Sequence, residues 1–220
     1  MPFFPMFVNI EDEKIIVLGG GNTALKKVYS LINFGCRIAV IAPRVCDELK
    51  AIRGISVHEM NLTLDVLDNA YMVVAATNRP EVNDKIGRYC LDRNIPVNVA
   101  DNPALSSFLF PGVIYRDELV LGITTGGCSP SVSKEVKKLV ERAIPQEFGP
   151  LTRKMAYMKE QADYYISDRT LREMALDDMV KSAVENRYVL DDKHANKILE
   201  RYIKAVSYTH LRAHETSAHL

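Results

Sequence analysis

Lys14–Ala24 reads KIIVLGGGNTA, an apolar run that ends in Gly19, Gly20 and Gly21 and opens into a helix-like pattern. Gly19, Gly21 and Ala24 fit the spacing G-x-G-x-x-G/A. In such a turn the first glycine permits a tight bend and the second lets the backbone approach a pyrophosphate. The small third residue lets the helix pack close to the strand. The helix N-terminus then offers free N–H groups to the anion. The chemistry expected here is dinucleotide binding. Asn22 and Thr23 either bond the cofactor or simply cap the helix.

Ligands of open α/β sheets sit beyond the carboxyl ends of the strands. Pro43 and Arg44 follow the apolar run Arg37–Ile41, Thr77 and Asn78 follow Tyr71–Ala76, and Asp101 follows Ile95–Ala100. Of 28 acidic residues, Asp101 is the only one directly following one of these strands. A carboxylate there can take a proton or hold a cation. Equally, Asp101-Asn102-Pro103 can be a turn in which the aspartate bonds its own backbone. The acid that usually holds a ribose 2′-OH is replaced by Ala42-Pro43-Arg44. Arg44 suits either a 2′-phosphate or a solvated surface, so this feature leaves NAD and NADP both open.

A second glycine turn, TTGGCSPS, leads into another helix. Gly126, Gly127 and Ser129 could bind a carboxylate through backbone N–H groups. The alternative is helix capping by Ser129 ahead of Pro130. Lys134, Lys137 and Lys138 either pair with an acidic substrate or form a solvated face, and the latter two fit the solvated face better. Lys26 and Lys27, just after the first glycine turn, have the same two readings.

The elements that must position these groups alternate. Strands are expected at Lys14–Leu18, Arg37–Ile41, Ile55–Glu59, Tyr71–Ala76 and Ile95–Ala100. Helices are expected at Thr23–Phe34, closed by Gly35, near Asp47–Ile52, and from Pro80 to Asp92. Such alternation implies right-handed βαβ crossovers and a doubly wound, Rossmann-like parallel sheet over residues 1–112. Residues 113–149 change character. Val113–Tyr115 and Leu119–Thr124 flank a hairpin turn, and a helix from Pro130 is broken by Pro145 and Gly149-Pro150. Residues 150–205 read as two or three helices. The last fifteen residues, VSYTHLRAHETSAHL, do not match the rest and read as a non-native scar over 206–220. His210 and His214 are four apart within it, but nothing completes a metal shell, so no metal site is expected.

Composition narrows the class. The chain has 220 residues, is 47% hydrophobic, and carries 28 basic and 28 acidic residues, so charge points to neither nucleic acid nor an anionic membrane. No apolar run is long enough to span a bilayer. The N-terminus lacks the basic segment and cleavage site of a secretory signal. Cys36, Cys46, Cys90 and Cys128 show no metal spacing and read as reduced thiols of a cytoplasmic protein.

Five segments, taken together, resemble a known family. They are FPMFVNIEDEKIIVLGGGNTALKK, IAVIAPR, VVAATNRPEVN, VNVADNPALSSFLFPG and ITTGGCSPSVSK, in order across residues 5–150. The chain resembles the bifunctional precorrin-2 dehydrogenase/sirohydrochlorin ferrochelatases, the dehydrogenase–chelatase part of sirohaem synthase. The resemblance implies NAD-dependent oxidation of precorrin-2 to sirohydrochlorin, followed in many members by Fe²⁺ insertion to give sirohaem. It also implies a homodimer in which residues 113–149 form the dimerisation region. Asp101 matches the family's essential aspartate, and Asn22, Thr23, Pro43 and Arg44 match cofactor-contacting positions. Because the family uses NAD without an acid after the second strand, NAD is favoured. The expected nicotinamide position is near Thr77 and Asn78. Gly126, Gly127, Ser129 and Lys134 fall in the loop expected beside the tetrapyrrole.

Two departures stand out. Lys26-Lys27 replaces a frequent arginine–lysine pair, and Ser106 replaces a frequent acid, which weakens the expectation of chelatase activity. No methyltransferase domain follows, so methylation is expected from another protein. The rival readings are a dehydrogenase without chelatase activity and a non-catalytic NAD(H) sensor.

Overall fold

A computed structural model describes the backbone of residues 4–217 and the side chains of residues 4–205. The chain divides into two compact units. One holds Met1–Val113 and Gly122–Lys134, the other Ile114–Leu121 and Glu135–Leu220.

The first unit is built on five parallel strands: β1 (Lys14–Leu18), β2 (Arg37–Ala42), β3 (Ile55–Glu59), β4 (Met72–Ala75) and β5 (Val97–Val99). Their order is β3-β2-β1-β4-β5. β1 is central, pairing Ile15 with Ile38 on one side and with Met72 on the other. Successive side chains of a strand face opposite ways, so a strand covered on both faces must be apolar throughout. Ile15 and Val17 pack with Ala24, Val28 and Leu31 of α1 (Asn22–Leu31). Ile16 and Leu18 pack on the other face with Leu67 and with Ile86 and Cys90, the latter two from α3 (Pro80–Asp92). α2 (Asp47–Lys50) is a single turn, and its Leu49 is buried.

The expected helix Thr23–Phe34 is split. α1 stops at Leu31 and the chain tightens to a 3-10 turn, Ile32–Phe34, before Gly35 closes it at φ 69°. A left-handed residue at this place is the usual helix terminator. β4 and β5 are shorter than their apolar runs, although the run ends still bond to neighbouring strands: Tyr71 N donates to Lys14 O at 2.9 Å, Ala76 N to Leu18 O at 2.8 Å and Ala100 N to Ala75 O at 2.9 Å. The outer edge of β5 is covered by side chains. Ser107 Oγ accepts from Val97 N at 2.9 Å and Ser106 Oγ from Val99 N at 2.8 Å. This satisfies backbone groups that an open edge would leave unpaired.

β6 (Gly112–Arg116) and β7 (Leu119–Ile123) form the hairpin, with Asp117 in the left-handed region at φ 53°. α4 (Pro130–Ala143) follows. In the second unit α5 (Phe148–Tyr165), α6 (Arg169–Glu185) and α7 (Asp192–Ser217) share a core of Leu151, Met158, Ala175, Met179, Leu199 and Tyr202. α4 ends at Ala143, ahead of Pro145, and Gly149-Pro150 falls in the first turn of α5. A proline in the first turn removes only an N–H that has no helical partner. The side chains of 206–220, including His210 and His214, lie outside the described residues. Among the described residues no helix is long and apolar enough to cross a membrane.

Candidate active site

β1 and β4 are neighbours whose following helices leave on opposite faces of the sheet. At that switch point the loops part and leave a crevice. A cleft of about 790 Å³ lies there. Its walls are the loops after β1, β2 and β4, the first turns of α3, and the segment around Asn61 and Leu62. Gly19, Gly20, Gly21, Asn22, Thr23, Pro43, Arg44, Thr77 and Asn78 all line it.

The three glycines do different work. Gly19 has φ 127°, and a Cβ there would strike the Ala76 carbonyl. A Cβ on Gly20 would strike the Arg44 carbonyl, and Cys46 N donates to Gly20 O at 2.8 Å. Gly20 thus lets the first loop pack on the loop after β2. A Cβ on Gly21 would meet nothing within 4 Å. It would stand in the cleft at the N-cap of α1. That leaves open space at a helix N-terminus, a place where an anion is favoured.

Arg44, Arg79 and Lys85 line the cleft, and none of the described lining residues is a carboxylate. Arg79 is paired with Glu81 at 2.7 Å. Glu59 ends β3 and lies opposite Ala42, the last residue of β2. Its carboxylate is partnered: Lys50 Nζ stands 3.0 Å from it and Val45 N donates to it at 3.0 Å. Those bonds, the Lys50 one foremost, hold its carboxyl below the usual range.

Asp101 does not line the cleft, and its exposed side chain accepts from Asn83 Nδ2 at 3.1 Å. The turn bond considered for Asp101 is made by Asn102, whose Oδ1 accepts from Ala104 N at 3.2 Å. Gly126 and Gly127 are left-handed, at φ 64° and 86°. Ser129 Oγ accepts from Val132 N at 3.3 Å and so caps α4. Gly126, Gly127, Ser129 and Lys134 do not line this cleft. Lys137 and Lys138 pair with Glu141 and Glu135 on their own helix. Lys26 is exposed, whereas Lys27 lies over the Phe110 ring, 4.1 Å from its centre. Burial lowers the Lys27 pKa.

Sequence reasoning missed Asn83, Asn61 and Lys85. Only Asn83 carried a signal. It occupies the apolar stripe of α3, with Ile86, Gly87 and Cys90, where a polar residue needs a partner.

Comparison with known proteins agrees with this architecture. A family model described as "Putative NAD(P)-binding" matches residues 6–112. The chain is 35% identical over 156 residues to a siroheme synthase of Psychrobacter arcticus, covering 70% of this chain and 28% of that protein. It is 35% identical over 170 residues to a siroheme synthase of Nitrosospira multiformis, covering 74% of this chain and 35% of that protein. The chain thus spans about a third of the length of these curated relatives. A solved structure titled "SirC, precorrin-2 dehydrogenase" shares the fold at a TM-score of 0.71 and 21% identity, covering 92% of this chain and 100% of its own. With its glycine turn and its sheet agreeing with that kinship, the chain belongs to the sirohaem synthase family.

Proposed function

We propose that the chain is an NAD-dependent dehydrogenase that oxidises precorrin-2 to sirohydrochlorin. The observation that carries the reading is the cleft at the β1/β4 switch point, with Asp101 tied to its wall through Asn83. NAD, when bound, supplies the hydride acceptor. Gly21 and the N-terminus of α1 hold its phosphates, with Asn22, Thr23, Pro43 and Arg44 beside them. Thr77 and Asn78 shape the nicotinamide end. Asp101 takes the proton that leaves the substrate as the hydride departs. Gly126, Gly127, Ser129 and Lys134 hold carboxylates of the tetrapyrrole through backbone N–H groups and one ammonium.

Insertion of Fe²⁺ into sirohydrochlorin belongs to the same proposal. There Asp101 accepts pyrrole protons as the metal enters. The chain works as a homodimer in the cytoplasm, with residues 113–149 as the dimerisation region. The support for the dimer is α4, which has no buried residue and exposes Val132, Val136 and Leu139 by 52, 39 and 56%. Those positions are four and three apart and form one apolar stripe.

The test supplies enzymatically made precorrin-2 and NAD⁺, follows NADH by absorbance, then adds Fe²⁺ and follows the product spectrum. NADH formation that vanishes in Asp101→Ala is the expected result. NADH without faster iron insertion would leave a dehydrogenase alone. NAD⁺ binding without any turnover would overturn the enzyme reading in favour of a sensor.

A further inference from the structure

We infer that Asn83 is a positioning residue: it locks the Thr77 rim of the cleft to Asp101 and keeps the Asp101 carboxylate turned as a proton acceptor. The inference rests on the role proposed above for Asp101. Asn83 is 1% exposed, in the first turn of α3. Its Oδ1 accepts from Thr77 N at 3.1 Å and from Thr77 Oγ1 at 2.6 Å. Its Nδ2 donates to Thr77 O at 3.1 Å and to Asp101 Oδ1 at 3.1 Å. Two acceptor and two donor positions are the whole capacity of a carboxamide, and all are used. A peptide N–H can only donate, so the atom facing Thr77 N must be the oxygen, and the amino group must face Asp101.

That forced orientation has a chemical consequence. A carboxylate oxygen that accepts from a fixed donor is itself fixed in place. One Asp101 oxygen is held by Asn83 on an otherwise exposed side chain, which sets the direction of the other. The neighbouring charges on α3 do not substitute for this bond. Arg79 is paired with Glu81, and Asp84 accepts from Asn102 at 2.9 Å. Lys85 lines the cleft. No other standard side chain of this length presents an acceptor to Thr77 and a donor to Asp101 together. Aspartate lacks the donor, and leucine lacks both.

Asn83→Ser shortens the side chain and withdraws the donor. Asn83→Asp keeps the shape and the acceptor for Thr77 but sets a carboxylate against Asp101. The measurement is kcat and KM for precorrin-2 oxidation by the full chain, beside its thermal melting. In Asn83→Ser kcat is expected to fall by roughly ten- to a hundredfold while KM for precorrin-2 stays near the wild-type value, as loss of orientation and not of binding requires. Asn83→Asp, should Asn83→Ser fail to fold, is expected to lower kcat further. A wild-type kcat in a folded variant overturns the inference and leaves the proposed activity intact. A lowered kcat with Asp101→Asn turning over at the wild-type rate sinks the role of Asp101, and the positioning role with it.

Discussion

Gly20 and Gly21 are adjacent, yet substitution should separate them. A Cβ at Gly20 meets the Arg44 carbonyl, while one at Gly21 meets only open cleft. Gly20→Ala is expected to lower thermal stability by the ~1–3 kcal/mol typical of overpacking. Gly21→Ala is expected to melt near the wild-type temperature and to lose NADH affinity. Calorimetry with NADH fluorescence titration reads both, and a Gly21→Ala chain that binds normally would remove that glycine from the phosphate cradle. Cys90 allows a second test at this scale. It is fully buried, and burial pushes its thiol from an ordinary 9.0 up to about 11, with the charge of Arg93 opposing. A raised folded pKa means that this stability is complete below pH 9 and is lost as pH climbs through 11. The loss is about 2 kcal/mol. Urea midpoints should therefore fall more steeply between pH 8.5 and 11 in the wild type than in Cys90→Ala, whose cavity cost does not titrate. Parallel slopes would contradict this.

At the scale of elements, the decisive contact is α3 on β5. A Cβ at Gly87 would stand 2.8 Å from Val99 Cγ2 and 3.0 Å from Leu105 Cβ. Gly87 therefore lets α3 lie close enough for Asn83 to reach Asp101. Gly87→Ala should push the helix outward, cost about 1–3 kcal/mol and weaken the Asn83–Asp101 bond. Urea unfolding with kcat for precorrin-2 oxidation would show both effects, and an unchanged kcat would break the link between them. Most elements were legible in the chain because their signals are local. KIIVL and MVVA read as buried strands, and Ser129-Pro130 as a helix start that the structure keeps. The ends were less legible. α1 gives way to a 3-10 turn, and Pro150 sits inside α5, because a helix end depends on what its last turn packs against.

At the scale of the molecule, α4 poses the open question of assembly. An apolar stripe of Val132, Val136 and Leu139 on a helix without buried residues is costly in water, at about 1 kcal/mol for each half-exposed side chain. If the stripe is the dimer seam, Leu139→Asp should convert a dimer to a monomer in light scattering. The same variant should keep NADH binding, since α4 does not line the cleft. A wild-type chain that is monomeric at assay concentration would dispose of the seam.

The sequence by itself determined the parallel sheet, the place of the glycine turn and the cleft-lining loops after β1, β2 and β4. These follow from side-chain periodicity and backbone sterics, which act over a few residues. Only the tertiary structure decided how Asp101 is held. Asn83 and Asp101 are 18 residues apart, and their bond exists because a glycine brings a helix down onto a strand. Tertiary structure likewise assigned Ser106 to the edge of β5, Glu59 to Lys50 and Lys27 to the face of Phe110. Each pairs residues of separate segments, and no local pattern encodes which group a folded chain will bring to another.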